Sequence, residues 1–382
     1  MKRAIRPSSL LVLCQDTGSA NALAAFLVSS NRARGVYFLV CRESVRAVFE
    51  RQNIKPSSVF RDELSVAELE DLLERPRPAV VLLGSSLDLW TERRCCELAR
   101  GRIPCVSLVD WWSNFGRRFS SPETLDLRYL PDRVGVLDED SRAGCVAEGV
   151  PETALTVTGN PYWDRLLGIS EQANSAARGQ ARARLGLPES AAVALLVSSD
   201  IRNLPLRLGY TEADFFSALA PLPPRAGDGR DVVWLVKPHP RESVEDTRRL
   251  MASHHIDARL LADATGEEAV VAADYVIGMC SSLLLEAALL KKRILSVQPG
   301  MNPASFRYFS IFKRLGIPTV TRTAEVRPLV QRLVSDEGPV PDLSKLPPPI
   351  GDGRAAARID AVLDGFHGRG PVAKSALLKE TV

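Results

Sequence analysis

Asp274-Tyr275-Val276-Ile277-Gly278-Met279-Cys280-Ser281-Ser282-Leu283-Leu284-Leu285-Glu286-Ala287 is the stretch that decides the fold. The apolar run Tyr275–Ile277 ends at Gly278, passes a tight turn and enters a helix-forming segment, so it reads as buried strand, turn and helix. Ser281 and Ser282 fall at the helix start, where backbone N–H groups lack partners and the dipole favours an anion. Glu286 follows Ser282 by one helical turn and shares its face. This unit can hold a diphosphate, with the Glu286 carboxylate placed to accept ribose hydroxyls. The same residues also suit an ordinary Ser-capped helix with a solvated Glu.

Working outward, the strand–turn–helix pattern repeats along the chain. In the first half the expected strands are Leu10–Cys14, Val36–Cys41, Ala79–Leu83, Ile103–Val109, Arg133–Leu137 and Leu155–Val157. Helical periodicity separates them at Ala20–Ser30, Ser44–Gln52, Ser65–Glu74, Asp88–Arg100 and Glu139–Glu148. After Gly159-Asn160-Pro161 the pattern restarts with Ala191–Val197, Asp231–Val236, Ala258–Leu261, Tyr275–Ile277 and Arg293–Val297. Alternating short apolar runs and helices imply parallel sheets covered on both faces. The expected architecture is α/β, with two Rossmann-like domains facing across a cleft and ligand at the carboxyl ends of the strands. The boundaries are 1–165 for an N-terminal domain, 166–340 for a C-terminal domain, and 341–382 for a Pro-rich segment, a helix over Gly353–Gly365 and a tail frayed from about Gly368. Gly168–Arg184 reads as a linker leading into a helix.

Composition narrows the classes. The 382-residue chain is 45% hydrophobic and 25% charged, as globular proteins are. A net charge of +3 is too mild to point to nucleic acid. No apolar run approaches the ~18–20 residues of a membrane span, and the basic start followed by Leu10–Leu13 reads as a first strand instead of a signal peptide. Peripheral contact with a membrane stays open, as does the oligomeric state. Seven cysteines without a CxxC spacing suit a reducing cytoplasm and offer no zinc site; adjacent His254 and His255 would point apart on a helix.

Four loops carry candidate chemistry, each just past an expected strand. Gln15-Asp16-Thr17-Gly18-Ser19 holds Asp16 at a strand end, as a base or as a simple turn residue. Asp110-Trp111-Trp112-Ser113-Asn114-Phe115-Gly116-Arg117-Arg118-Phe119 sets a carboxylate among aromatic rings. That arrangement suits stacking on a sugar and proton abstraction from a hydroxyl, or else an aromatic plug with Asp110 paired to Arg117 or Arg118. Lys237-Pro238-His239-Pro240-Arg241 is a rigid turn presenting two cations and a histidine to phosphate charge. Ser198-Ser199-Asp200-Ile201-Arg202 adds small polar residues and a cation, with Ser199 and Arg202 as phosphate contacts.

The run Asp132–Ser141 through Val157-Thr158-Gly159-Asn160-Pro161, together with Lys237-Pro238-His239-Pro240 and the Ser281-Ser282 helix, resembles the UDP-N-acetylglucosamine 2-epimerase and GT-B glycosyltransferase superfamily, of the bacterial capsule or surface-polysaccharide transferase type. The resemblance covers roughly residues 10–335 and implies a nucleotide held by the C-terminal domain and an acceptor by the N-terminal one. The sequence departs from the 2-epimerase pattern at three places. Gly-Thr-Arg-Pro-Glu, His-X-Glu-Ala-Gly-Leu-Arg and Asp-Ser-Gly-Gly are replaced around Asp16, Asp110 and Ser281. The expected activity is therefore transfer of a sugar or polyol phosphate from a nucleotide-activated donor to a glycan or small-molecule acceptor. A nucleotide-sugar 2-epimerase and a non-catalytic nucleotide- or glycan-binding protein are the alternatives. Asp16, Asp110 and His239 are the expected catalytic residues; Lys237, Arg241, Ser281, Ser282, Glu286, Ser199 and Arg202 are expected to bind the nucleotide. Neither a cofactor nor an essential metal is expected, because Lys237, Arg241 and the helix at Ser281 can neutralise a leaving diphosphate.

Overall fold

The computed structural model describes residues 10–30, 37–75, 77–122, 124–169, 171–203, 208–305 and 310–366. Val36, the first residue of its expected strand, and the tail expected from about Gly368 lie outside these residues. The chain forms two compact units, residues 1–165 with 347–382, and residues 166–346.

In unit 1 the order is β1 (Leu10–Cys14), α1 (Thr17–Ser29), β2 (Tyr37–Arg42), α2 (Glu43–Arg51), β3 (Ser58–Phe60), α3 (Val66–Glu74), β4 (Val80–Leu83), α4 (Thr91–Ala99), β5 (Cys105–Leu108), β6 (Arg133–Val136), α5 (Glu139–Ala147) and β7 (Leu155–Val157). The seven strands form one parallel sheet in the order β3-β2-β1-β4-β5-β6-β7. Alternation along β1 explains the layering. Leu10, Val12 and Cys14 join α1 and α2 on one face, whereas Leu11 and Leu13 join α3 and α4 on the other. Local chemistry sets the helix starts: Asp16 caps α1, Asp138 caps α5, and Ser65 with Glu68 forms a capping box at α3.

The division between the units falls within α6 (Pro161–Leu167). Unit 2 continues with α7 (Glu171–Arg184), β8 (Ala192–Val197), α8 (Glu212–Leu219), β9 (Val232–Lys237), α9 (Val244–Ser253), β10 (Arg259–Leu260), α10 (Gly266–Ala272), β11 (Tyr275–Gly278), α11 (Ser282–Leu289), β12 (Arg293–Val297), α12 (Ser310–Arg314), β13 (Thr319–Val320) and α13 (Thr323–Val334). Its six parallel strands run β10-β9-β8-β11-β12-β13. The chain then returns to unit 1, where Ile359 and Leu363 of α14 (Ala355–Asp364) enter the same core layer as α1. Ser30 Oγ donates to Asp360 across that contact at 2.6 Å.

Both sheets are doubly wound, with the strand order reversing between β1 and β4 in unit 1 and between β8 and β11 in unit 2. Such a reversal opens a crevice at the carboxyl ends of the two central strands. All seven cysteines are free, and Cys14 and Cys41 are buried strand residues. Among the described residues, no helix is long and apolar enough to cross a membrane.

Candidate functional site

At the reversal point of unit 1, three loops converge. Asp16 directly follows β1 and its Oδ1 accepts the Ser19 N–H at 2.9 Å, closing the turn into α1. Asp110 lies two residues past β5 and reaches over that turn. A Cβ on Gly18 would sit 2.3 Å from Asp110 Oδ2, so only glycine lets the carboxylate approach the start of α1. The third carboxylate is Glu92, on α4 and 3% exposed. It accepts the Gln15 N–H at 3.2 Å, the Ser86 N–H at 3.0 Å and the Ser86 hydroxyl at 2.6 Å. A buried cation answers Asp110. Arg118, 5% exposed, donates through Nη1 to Asp110 Oδ1 at 2.8 Å and to the Ser85 carbonyl at 2.5 Å.

The electrostatic result is a proton-sharing carboxylate. Burial first, then Asp110 and Glu92, push Asp16 up to about 7, while the Ser19 N–H and Arg118 pull the other way. Burial likewise raises Glu92 despite its hydrogen bonds to Ser86 and Gln15. A carboxyl balanced near neutrality can both take and return a proton.

Of the two readings of the aromatic segment after Asp110, the structure has the ion pair of the second, with Asp110 on Arg118. Trp112, Phe115 and Phe119 are buried. Trp112 stacks on Trp163 with centroids 5.1 Å apart, and its indole N–H donates to Asp138 at 2.6 Å. A tryptophan can be buried when its one polar atom finds an acceptor, and Asp138 provides it. Trp111, half-buried, packs edge-on against Trp112 at 5.6 Å. The rings are packing inside unit 1, and Asp110 is paired with Arg118.

Unit 2 presents different chemistry at its own reversal point. After β8, Ser198 donates to Glu242 at 2.8 Å, and buried Asp200 lies 3.4 Å from Arg241. After β9, the His239 N–H donates to Glu242 at 2.6 Å, while its Nδ1 accepts the Arg241 N–H at 3.2 Å. Burial, then the Arg241 cation, holds His239 down to about 4. After β11, Ser281 caps α11 by accepting the Leu283 N–H at 3.2 Å, and Ser282 is exposed at the first helical position. Buried Tyr210 donates its hydroxyl to the Gln298 side chain at 3.1 Å, and the buried Ser199 hydroxyl after β8 has no hydrogen-bond partner among the described residues.

Three expected nucleotide contacts have other partners in the structure. Lys237 is 8% exposed and its Nζ donates to the Leu261 carbonyl at 3.3 Å. Arg202 Nε sits 3.3 Å from buried Glu212. Glu286 is 5% exposed, whereas Ser282, on the same helix, faces solvent. Ser199, His239, Arg241, Ser281 and Ser282 remain along the strand-end edge. Sequence reasoning missed Glu92, Ser86 and Glu242. The signal for Glu92 was available in principle: β4 neighbours β1 in a doubly wound sheet, so the polar Ser85-Ser86 turn and the helix after it had to face Asp16. Among the described residues, no group of three or more His, Cys, Asp or Glu side chains is arranged to hold a metal.

No protein-family model matches the sequence, and no curated protein matches it at significance. Solved structures resemble it in fold. A UDP-GlcNAc 2-epimerase from Neisseria meningitidis bound to UDP-GlcNAc superposes with a TM-score of 0.68 at 16% identity, covering 93% of this chain and 99% of that one. The Methanocaldococcus jannaschii UDP-GlcNAc 2-epimerase in complex with UDP-GlcNAc and UDP gives 0.66 at 14% identity, covering 94% and 99%. The Anabaena protein HepE in complex with UDP and glucose gives 0.56 at 14% identity, covering 94% and 95%. Identities this low establish a shared two-domain GT-B-like α/β fold.

Proposed function

We propose that the chain is an enzyme acting on a nucleotide-activated sugar, and that its reaction is of the 2-epimerase kind, with a proton taken from and returned to the sugar. One observation carries this reading: Asp16, Asp110 and Glu92 gather at one strand-end crevice with Asp16 poised near pH 7. The three sequence departures that favoured transfer removed the expected carboxylates from their usual loops. Asp16, Asp110 and, from an unexpected helix, Glu92 restore a three-carboxylate set. The epimerase neighbours, bound to UDP-GlcNAc, support the same assignment.

In this proposal Asp16 moves the proton, burial together with Asp110 and Glu92 holds its carboxyl at a value where both protonation states are populated, and Arg118 orients Asp110. The nucleotide belongs to unit 2. There the positive end of the α11 dipole faces phosphate oxygens, which would compete with Ser281 for the N–H groups of its first turn, and Arg241 adds charge. His239 is neutral; with Nδ1 accepting, its proton is on Nε2, which is then a donor for a phosphate or hydroxyl oxygen. No metal is invoked.

Transfer to an acceptor is the second reading, favoured by a cavity of about 190 Å³ beside Trp90 and Arg117 in unit 1, room that epimerisation of one sugar does not require. Incubation with UDP-N-acetylglucosamine, followed by proton NMR, separates the readings. An altered sugar still on UDP supports epimerisation, and free UDP appearing only with an added acceptor supports transfer. Failure of UDP and UDP-sugars to bind at all overturns both.

A further inference from the structure

The cavity beside Trp90 and Arg117 has a construction that the epimerase reading does not use. Its walls come from the loop after β4, with Asp88 and Trp90, and from the loop after β5, with Arg117 and Ser121. Arg93 locks these two loops together. Its Nε donates to the Arg118 carbonyl at 2.9 Å, and its Nη2 donates to the Leu87 carbonyl at 2.6 Å and the Arg117 carbonyl at 3.1 Å. Its guanidinium also lies 4.9 Å from the centroid of the Trp90 ring. Trp90 is further fixed edge-on against Tyr129 at 5.8 Å. Arg93 is only 6% exposed, and this buried cation both fixes the walls and answers the charges of Asp88 and Glu92.

Two adjacent arginines then go opposite ways. Arg118 turns inward to Asp110, whereas half-buried Arg117 lines the cavity, and its guanidinium makes no hydrogen bond or ion pair with any described residue. A preformed space with an indole at its wall, the Asp88 carboxylate answered by Arg93, and the Arg117 guanidinium outside any hydrogen bond or ion pair with a described residue suits a six-membered ring carrying an oxyanion. The ring lies against the tryptophan, the carboxylate pairs with the planar fork, and hydroxyls reach Ser121. The volume admits one such ring and little more.

We infer that this cavity is a subsite for a carboxylated sugar unit, a hexuronate, lying one residue along the chain from the cation that holds Asp110. The inference rests on the reading that the chain handles sugars. It does not require a choice between epimerisation and transfer, since the unit can be part of an acceptor or a separately bound ligand.

Saturation-transfer NMR on the full chain with glucuronate and with glucose tests it. The wild-type protein is expected to bind glucuronate at least tenfold more tightly than glucose. Arg117→Ala should abolish that preference, and Arg117→Lys should retain part of it. Because the Arg117 guanidinium makes no hydrogen bond or ion pair with a described residue, both variants should melt close to the wild type, and a melting check keeps the comparison clean. Equal binding of the two sugars, no detectable glucuronate binding, or an undiminished preference in Arg117→Ala overturns the subsite. UDP binding measured on the same samples reports on the functional reading separately: loss of UDP binding with the glucuronate preference intact removes the reaction and leaves the subsite, and the converse removes the subsite alone.

Discussion

The two sheets share one strand order and differ in what they place at its reversal point. Unit 1 gathers Asp16, Asp110 and buried Glu92 beside the Arg118 guanidinium, whereas unit 2 sets hydroxyls, a neutral histidine, an exposed arginine and a helix start beside carboxylates of its own, Asp200, Glu212 and Glu242. The two edges thus differ in their donors and cations more than in their carboxylates. Clustered carboxylates in a crevice raise one another's proton affinity and make an acid–base site. N–H groups at a helix start and a nearby cation favour an anion without any proton changing hands. The doubly wound sheet supplies only the address, and the chemistry is set by a few loop residues.

If that contrast is functional, the largest effect follows from Asp16→Asn. Asparagine caps a helix about as well as aspartate, so α1 should persist, while proton transfer is lost. Turnover of the nucleotide sugar is expected to fall by about 10²–10⁴-fold with UDP affinity unchanged. Equal losses of both would break the division of labour between the units. The same variant has a stability signature. Because the folded-state value of Asp16, about 7, lies above the ordinary 3.8, the folded protein binds this proton more tightly than the unfolded chain. Both states are protonated below about pH 4, and the cost of the buried charge is fully present above about pH 7. Stability should therefore decline between these limits in the wild type, and urea midpoints of Asp16→Asn should show a flatter profile.

Next in size is Arg118→Ala. Removing one partner of a buried ion pair leaves Asp110 uncompensated, which typically costs about 3–5 kcal/mol. Denaturant unfolding should show that loss, and Asp110→Asn in the Arg118→Ala background should recover part of it. A mild effect would mean that water reaches Asp110 and that the cluster is less buried than the packing implies.

The sequence carried most of the fold because parallel strands covered on both faces are apolar throughout; Leu10–Cys14, Leu155–Val157 and Arg293–Val297 are legible to the residue. The edge strands β3 and β13 were not, being three and two residues long without a distinctive apolar run. At the site, Asp16, Asp110 and His239 were visible because they stand in unusual loops. Glu92 was hidden because a carboxylate in the first turn of an amphipathic helix ordinarily faces water, and only the pairing of β1 with β4 turns it inward. Which of its two readings the aromatic loop would follow was not legible for the reverse reason: burial of Trp112 depended on Asp138 and Trp163, which are distant in sequence.

In unit 2, His239→Ala should weaken UDP binding by about one to two decades, the ~1.5–3 kcal/mol of a hydrogen bond to a charged oxygen. With burial and Arg241 holding the imidazole down to about 4, the wild-type affinity should carry no His239 titration between pH 5.5 and 8. Calorimetry across that range checks both statements. A step near pH 6.5 that disappears in His239→Ala would show a protonated imidazole and a site of different electrostatics.

The smallest effect is the most discriminating, because it separates an anion site from an ordinary capped helix. Ser281 Oγ accepts the Leu283 N–H, so Ser281→Asp keeps a capping oxygen and adds a negative charge at the positive end of α11. The helix dipole rewards that charge by about 0.3–1 kcal/mol, and the ligand-free protein should melt slightly higher than the wild type. If a diphosphate occupies the same N–H groups, the new carboxylate competes with it and repels it, and UDP affinity should drop severalfold. Stability and affinity would then move in opposite directions, which no loss of packing produces. If both rise or both hold, α11 is a capped helix and the phosphates are held elsewhere along the unit 2 edge, with Arg241 the next residue to change.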